Sequence, residues 1–295
     1  MVATESRSRA FGTLSAVFLT GIHARDLAWM EAVPALAAAL ADRGSPDRVA
    51  AEHHRVLHHD VFPAASIFLT RKARFGGPPA QAARDALAAV GLEPDPSAEP
   101  DHLGQLLAGL AHLDGATADA EADGRTDLLG PLDARRRAFL DGALLPWLPP
   151  VLVALQHQRS PLFTALAALT AELVGTTGPA PAAPDLPLPG LDMGDPETDL
   201  RRVATALVTP AISGWFLSRS NLLALAGALD LPAGFGHRRL LMETMLHTAV
   251  EHRQVPRLVG GLKAAIAGWQ QGYAALGEHL GRRVVAPWSE RLAAT

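Results

Sequence analysis

Residues 98–113, AEPDHLGQLLAGLAHL, decide the fold class. Leu103, Leu106, Leu107, Leu110 and Leu113 recur at i, i+3, i+4 and i+7, which places them on one buried stripe of a single helix. Pro100 suits the first turn of that helix, where its missing N–H is not needed. Glu99 and Asp101 sit where carboxylates favour the positive helix end, with His102 beside them in the same turn. Nearly every other segment repeats the helical period, and strictly alternating β-branched runs are almost lacking. The sequence therefore predicts an all-α chain. Ser45-Pro46-Asp47, Ser160-Pro161 and Asp195-Pro196-Glu197 each supply an N-cap oxygen followed by a proline, and mark three helix starts. At the amino end, Phe11, Leu14, Phe18 and Ile22 share a face and predict a core-facing first helix. Arg7 and Arg9 before Ala10–Ile22 imitate a signal peptide, but no small-x-small cleavage site follows promptly.

The 295 residues (31.0 kDa) favour two domains. With 48% hydrophobic and 19% charged residues and a mean hydropathy of +0.13, the chain is not disordered. The absence of cysteine removes disulfides, thiolate metal sites and cysteine nucleophiles. The longest clean apolar run, Ala143 to Leu155, holds Pro146, Pro149 and Pro150 and falls short of the roughly 20 residues a bilayer span needs. A cytoplasmic protein without stable membrane insertion is expected.

Between Thr176 and Asp192 lies TTGPAPAAPDLPLPGLD, whose prolines favour an extended linker. The expected division is a helical domain over 1–176, a proline-rich linker over 177–194 and a helical extension over 195–295. Residues 1–190 carry a net charge of −6 and residues 191–295 a net charge of +2. Within the first part, Asp85 to Asp127 holds ten acids against one base, Arg125, a candidate surface for a cationic partner.

Two further segments carry signal. In RRRAFLDGALLPWLPPVLVAL (135–155), Phe139, Leu140, Leu144 and Trp147 share a helical face, and the prolines force a break and restart beside a large aromatic. VFPAASIFLTRKARFGG (61–77) reads as a long loop too apolar to be a plain linker, and long ordered loops are usually functional.

Together, in this order, the three segments resemble the TorD/DmsD/NarJ family of redox-enzyme maturation chaperones. Glu99, Pro100, Asp101, His102 and Gly104 match its E-P-D-H-x-G motif. Phe139, Leu140, Leu144, Leu145, Pro146 and Trp147 match its F-L-x-x-x-L-L-P-W motif. The loop HHDVFPAASIFL is similar to the segment leading into the same pocket, but departs from it at Ala64 or Ala65, where an aromatic or acidic residue is expected. The resemblance covers about residues 10–176. It implies a non-enzymatic cytoplasmic chaperone, without a cofactor of its own, monomeric or homodimeric. Its partner would be the catalytic subunit of a molybdopterin-dependent oxidoreductase of the dimethyl-sulfoxide-reductase type, held by its twin-arginine signal peptide or N-terminus until the subunit is folded, loaded and assembled for export. A twin-arginine leader is two guanidinium groups and an apolar stretch, and Arg forks onto carboxylates. The expected peptide contacts are Glu99 and Asp101 for the arginines, His102 as a polar neighbour, Leu144, Trp147 and Phe62 for the apolar part, and Pro100, Gly104 and Pro146 as motif residues around them.

Two other readings compete. Residues 218–257 outline two helices around a Gly- and Pro-containing turn, as in a helix-turn-helix DNA-binding regulator with His237, Arg238 and Arg239 on phosphates. The charge of only +2 and the packing residues Leu240, Leu241, Met245 and Leu246 speak against it, so no nucleic acid partner is expected. His53-His54 and His58-His59 have a spacing that can ligate a metal on one helix face, but no Glu sits in an H-E-x-x-H position, and an exposed polar face is favoured over a metal site. Gly234-Phe235-Gly236 and Gly260-Gly261 read as turns.

Overall fold

A computed structural model of the chain describes residues 4–41, 44–175, 192, 194–195, 197–232 and 234–295. Its first half runs α1 (Thr4–Thr20), α2 (Ala24–Ala32), α3 (Pro34–Ala41), α4 (Pro46–His54), α5 (Ala65–Leu69), α6 (Pro78–Ala89), α7 (Leu103–Ala122), α8 (Thr126–Phe139), α9 (Leu148–Gln156) and α10 (Pro161–Gly175). The second half adds α11 (Leu200–Leu207), α12 (Pro210–Ser213), α13 (Arg219–Leu229), α14 (Arg238–Glu251), α15 (Val255–Leu280) and α16 (Arg282–Ala293). Among the described residues the only extended pairing is one isolated bridge, Ala64 with His102, and the fold is all-α. Two π-helical segments, 55–60 and 140–144, extend α4 and α8.

Local chemistry accounts for the helix starts. The Ser45 hydroxyl accepts from Arg48 N at 3.3 Å, and that of Ser160 from Phe163 N at 3.2 Å. The third start is displaced from the expected Asp195: α11 begins at Leu200, capped by Asp199, whose Oδ1 accepts from Arg202 N at 2.7 Å. Asp195 instead turns its carboxylate onto Glu197 N at 2.9 Å, a local turn that competes with helix capping. The prolines of 135–155 act as expected. α8 and its π-helical extension end at Leu144, and α9 restarts at Leu148 with a 63° bend.

The leucine stripe of α7 is buried throughout and packs along α1, whose Phe11, Leu14 and Phe18 are equally buried; Ile22 lies past the end of α1 and is half-buried. Gly104 sets how closely the two helices approach, since a Cβ there would stand 2.6 Å from Leu19 Cγ and 3.0 Å from the Ser15 carbonyl. Across the same seam lies Asp114, wholly buried, which accepts from Arg7 Nε and Nη2 at 2.7 and 2.9 Å and from Arg136 Nε at 2.7 Å. One carboxylate thus ties α1, α7 and α8 together.

The carboxy-terminal helices lie on the amino-terminal ones, and buried side chains from both form one contiguous cluster. Trp288 Nε1 donates to the Pro146 carbonyl at 3.0 Å, and Asp60 accepts from Ser220 N and Oγ at 3.1 and 2.7 Å. The Phe216 ring stands 5.2 Å from Phe68, and His157 stacks on Trp269 at 5.3 Å. The expected linker lies outside the described residues except for Asp192 and Gly194. No single described helix is long and apolar enough to cross a membrane; only the bent pair 126–144 and 148–156, taken together, has the length and composition.

Candidate functional site

Backbone pairing joins two of the motif segments. Ala65 N–H donates to the Asp101 carbonyl at 3.1 Å, and Leu103 N–H to the Pro63 carbonyl at 2.7 Å. Ala64 and Ala65 are buried in this pairing, where small side chains let the two backbones meet. The helix itself starts at Leu103, so Glu99, Pro100 and Asp101 form the turn before it rather than its first turn. His102 takes the N-cap, with extended backbone and Nδ1 accepting from Gly104 N at 3.1 Å. Burial, followed by the nearby His58 and His53, pushes the His102 imidazole down to about 4, so it is neutral at pH 7 and free to accept that bond.

Asp101 turns inward. Its side chain is 0% exposed, and Oδ2 accepts from Ser66 N at 2.6 Å at the start of α5. Oδ1, like the neighbouring Ser66 hydroxyl, has no hydrogen-bond partner, which costs about 1–3 kcal/mol for a buried polar atom. Asp101 therefore shapes the turn from beneath, and the carboxylates that reach the surface here are Glu99 and Asp95.

Above this turn lies a groove of about 730 Å³ whose walls include Phe62, Phe75, Asp95, Glu99, Pro100 and His102. The rings of Phe62 and Phe75 meet edge to face at 5.8 Å, and Phe75 is 50% exposed. Asp95 is held from both sides by α7: Gln105 Oε1 accepts from Asp95 N at 3.1 Å, and Gln105 Nε2 donates to its carbonyl at 2.8 Å. A hydrogen bond from Ser97, side chain and then backbone, holds the Asp95 carboxyl below its usual range, so it is ionised at neutral pH. Arg84, from α6, also borders the groove.

Of the nine residues singled out by sequence, Phe62, Glu99, Pro100 and His102 meet on this groove. Asp101 and Gly104 lie beneath it. Leu144 and Trp147 are interior, Trp147 only 1% exposed, with its Nε1 donating to the Ala143 carbonyl at 2.8 Å and its ring 6.0 Å from Phe68. Pro146 is half-buried and accepts from Trp288. Pro146 faces the carboxy-terminal helices, where α15 and α16 cover α9, a long-range contact the motif does not announce. Phe75 and Arg84 carry no motif signal, and Asp95 has only its place in the acidic run. Phe75 belongs to the loop flagged as too apolar for a linker, which is the signal that could have found it.

The acidic run is not one surface. Asp101 and Asp114 are internal, the latter at i+11 from Leu103 and so on the buried stripe. The histidine pairs also divide. His53 is buried with Nε2 2.9 Å from the Val17 carbonyl, contrary to the expected polar face, whereas His54, His58 and His59 are exposed and their rings contact one another. No group of three or more His, Asp or Glu side chains among the described residues is arranged to hold a metal ion.

Residues 23–152 match the family model of the nitrate reductase delta subunit. No curated protein and no solved structure matches the chain. The matched span contains both motifs, at 99–104 and 139–147, the 61–77 segment ahead of them and every wall of the groove named above. The match supports a likeness of residues 23–152, somewhat under half of the chain, to the nitrate reductase delta subunit family, the NarJ/TorD-type chaperones of molybdoenzyme maturation.

Proposed function

We propose that this protein is a cytoplasmic, system-specific, non-enzymatic chaperone that binds the arginine-bearing signal peptide or N-terminus of a molybdopterin-dependent oxidoreductase subunit in the Phe62–Glu99–His102 groove. It holds the subunit during folding and cofactor insertion, before assembly and export. The observation that carries this reading is the juxtaposition of two carboxylates, Asp95 and Glu99, with the Phe62–Phe75 ridge in one groove that the motif residues Pro100 and His102 also line. A guanidinium forks onto a carboxylate through two parallel N–H···O bonds, and the apolar residues that follow it bury against the rings. His102, neutral and engaged as a cap, does not repel the arginines.

The test is calorimetry of the full chain with a synthetic peptide, Ser-Arg-Arg-Ala-Phe-Leu-Leu-Gly, against the same peptide with both arginines replaced by glutamine. The arginine peptide should bind about tenfold more tightly, roughly 1.4 kcal/mol, and Asp95→Asn combined with Glu99→Gln should erase the difference. Equal binding of the two peptides to the unaltered protein would refute the reading.

A further inference from the structure

On the far side of the Phe62–Phe75 ridge lies a second groove, of about 740 Å³, built where α5 and the loop that follows it, 70–77, meet the carboxy-terminal helices. Six cations face it: Arg71, Lys72 and Arg74 from the loop, Arg219 from the start of α13, and Arg238 and Arg239 from the start of α14. None of the six is in an ion pair with a carboxylate among the described residues. Arg238 is the most telling. Its guanidinium lies 4.1 Å over the Phe216 ring, Nη1 donates to the Leu217 carbonyl at 3.2 Å, and burial pushes its pKa down to about 10. It is half-buried and still charged at pH 7, with no carboxylate in ion-pair contact among the described residues, although charges taken out of water are normally paired.

The two grooves share Phe62 and Phe75 as a common wall, one groove bearing Asp95 and Glu99 against a single Arg84 and the other the six cations. Two grooves of about 740 and 730 Å³ meeting along one ridge suit an extended chain rather than one small ligand. We propose that the basic groove binds an acidic, Asp- or Glu-bearing segment of the client peptide, carboxy-terminal to its arginines and apolar residues, and so fixes the direction in which the peptide lies. The order along the peptide rests on the arginine reading above; the preference for carboxylates on the far side of the ridge does not. Arginines would be repelled from the basic groove and carboxylates from the other, so a reversed peptide is disfavoured at both ends.

The experiment uses the full chain at low salt, where exposed charges are least screened, and two fluorescent probes: Ser-Arg-Arg-Ala-Phe-Leu-Leu-Gly extended by Gly-Glu-Glu-Glu or by Gly-Gln-Gln-Gln. The glutamate probe should bind about tenfold more tightly by anisotropy. Lys72→Ala with Arg74→Ala, both exposed loop positions, should bring it to the affinity that the glutamine probe has for the unaltered protein. Lys72→Glu with Arg74→Glu should prefer a third probe ending in Gly-Lys-Lys-Lys, a gain that an unfolded variant cannot show. Equal binding of the glutamate and glutamine probes overturns the proposal. So does inorganic pyrophosphate that binds more tightly than the glutamate probe and is lost in the alanine variant, since the groove is then a small-anion site. If replacing the arginines by glutamine changes nothing while the glutamate preference persists, the arginine reading fails and the basic groove stands.

Discussion

Asp101 and Glu99 are two residues apart in one motif, yet the structure gives them opposite jobs, and substitution can separate them. Asp101→Ala removes the acceptor for Ser66 N and leaves a buried N–H unpaired, which costs about 1–3 kcal/mol. Part of that is returned, because Asp101 Oδ1 is itself buried without a donor, so the net loss should be about 1–2 kcal/mol. At roughly 2–4 °C per kcal/mol for chains approaching this size, the melting midpoint should fall by about 2–8 °C. Asp101→Asn keeps an acceptor for Ser66 N and should restore both the midpoint and peptide binding. Glu99→Gln keeps the shape of a half-buried side chain at the groove and removes only its charge. It should leave the midpoint within about 1 °C and weaken the arginine peptide about fivefold, the effect of one charge-assisted pair discounted for exposure. Thermal unfolding and calorimetry on the same preparations read both effects. If Asp101→Asn binds peptide as poorly as Asp101→Ala while melting like the unaltered protein, the carboxylate acts on the ligand directly and the inward placement does not describe its role.

Three further outcomes follow from the packing around the site. Asp114→Ala removes the carboxylate that Arg7 and Arg136 share, the Arg136 side chain being only 5% exposed, and should cost about 3–5 kcal/mol in urea unfolding, more than Arg7→Ala, which leaves Asp114 paired with Arg136. Gly104→Ala forces a methyl against Leu19 and the Ser15 carbonyl at the α1–α7 seam and should cost about 1–3 kcal/mol by the same measure. His102 is held from an ordinary 6.5 down to about 4 in the folded chain, so the unfolded chain binds the extra proton between those values. Stability should then be full above about pH 6.5 and fall by up to about 3 kcal/mol as the pH drops toward 4. His102→Asn, which keeps a capping acceptor for Gly104 N, should flatten part of that slope in urea midpoints taken across the range.

What the sequence made legible is what depends on neighbours a few residues away. The stripe from Leu103 to Leu113 and the caps at Ser45 and Ser160 are local patterns, and the structure follows them. Asp114 was legible by the same rule: it falls on the stripe at i+11 from Leu103, and Arg7 stands one turn before Phe11 on the facing helix, so periodicity outranks charge counting within the acidic run. The placement of Trp147 was not legible, because the residue that donates to the adjacent Pro146 carbonyl lies 142 positions further on. The groove falls between these cases. Its walls come from 62, 75 and 95–102, three segments each readable as unusual, but their meeting depends on the paired backbones at 63–65 and 101–103. The family motif is legible largely because its residues build that turn: Asp101, Gly104 and His102 are fixed by a buried N–H, a helix contact and a cap. Side chains that only touch a ligand are under none of those constraints. Differences in client preference between related chaperones should accordingly concentrate at positions such as Phe75, Asp95, Lys72 and Arg74, where the turn does not dictate the residue and the groove still meets it.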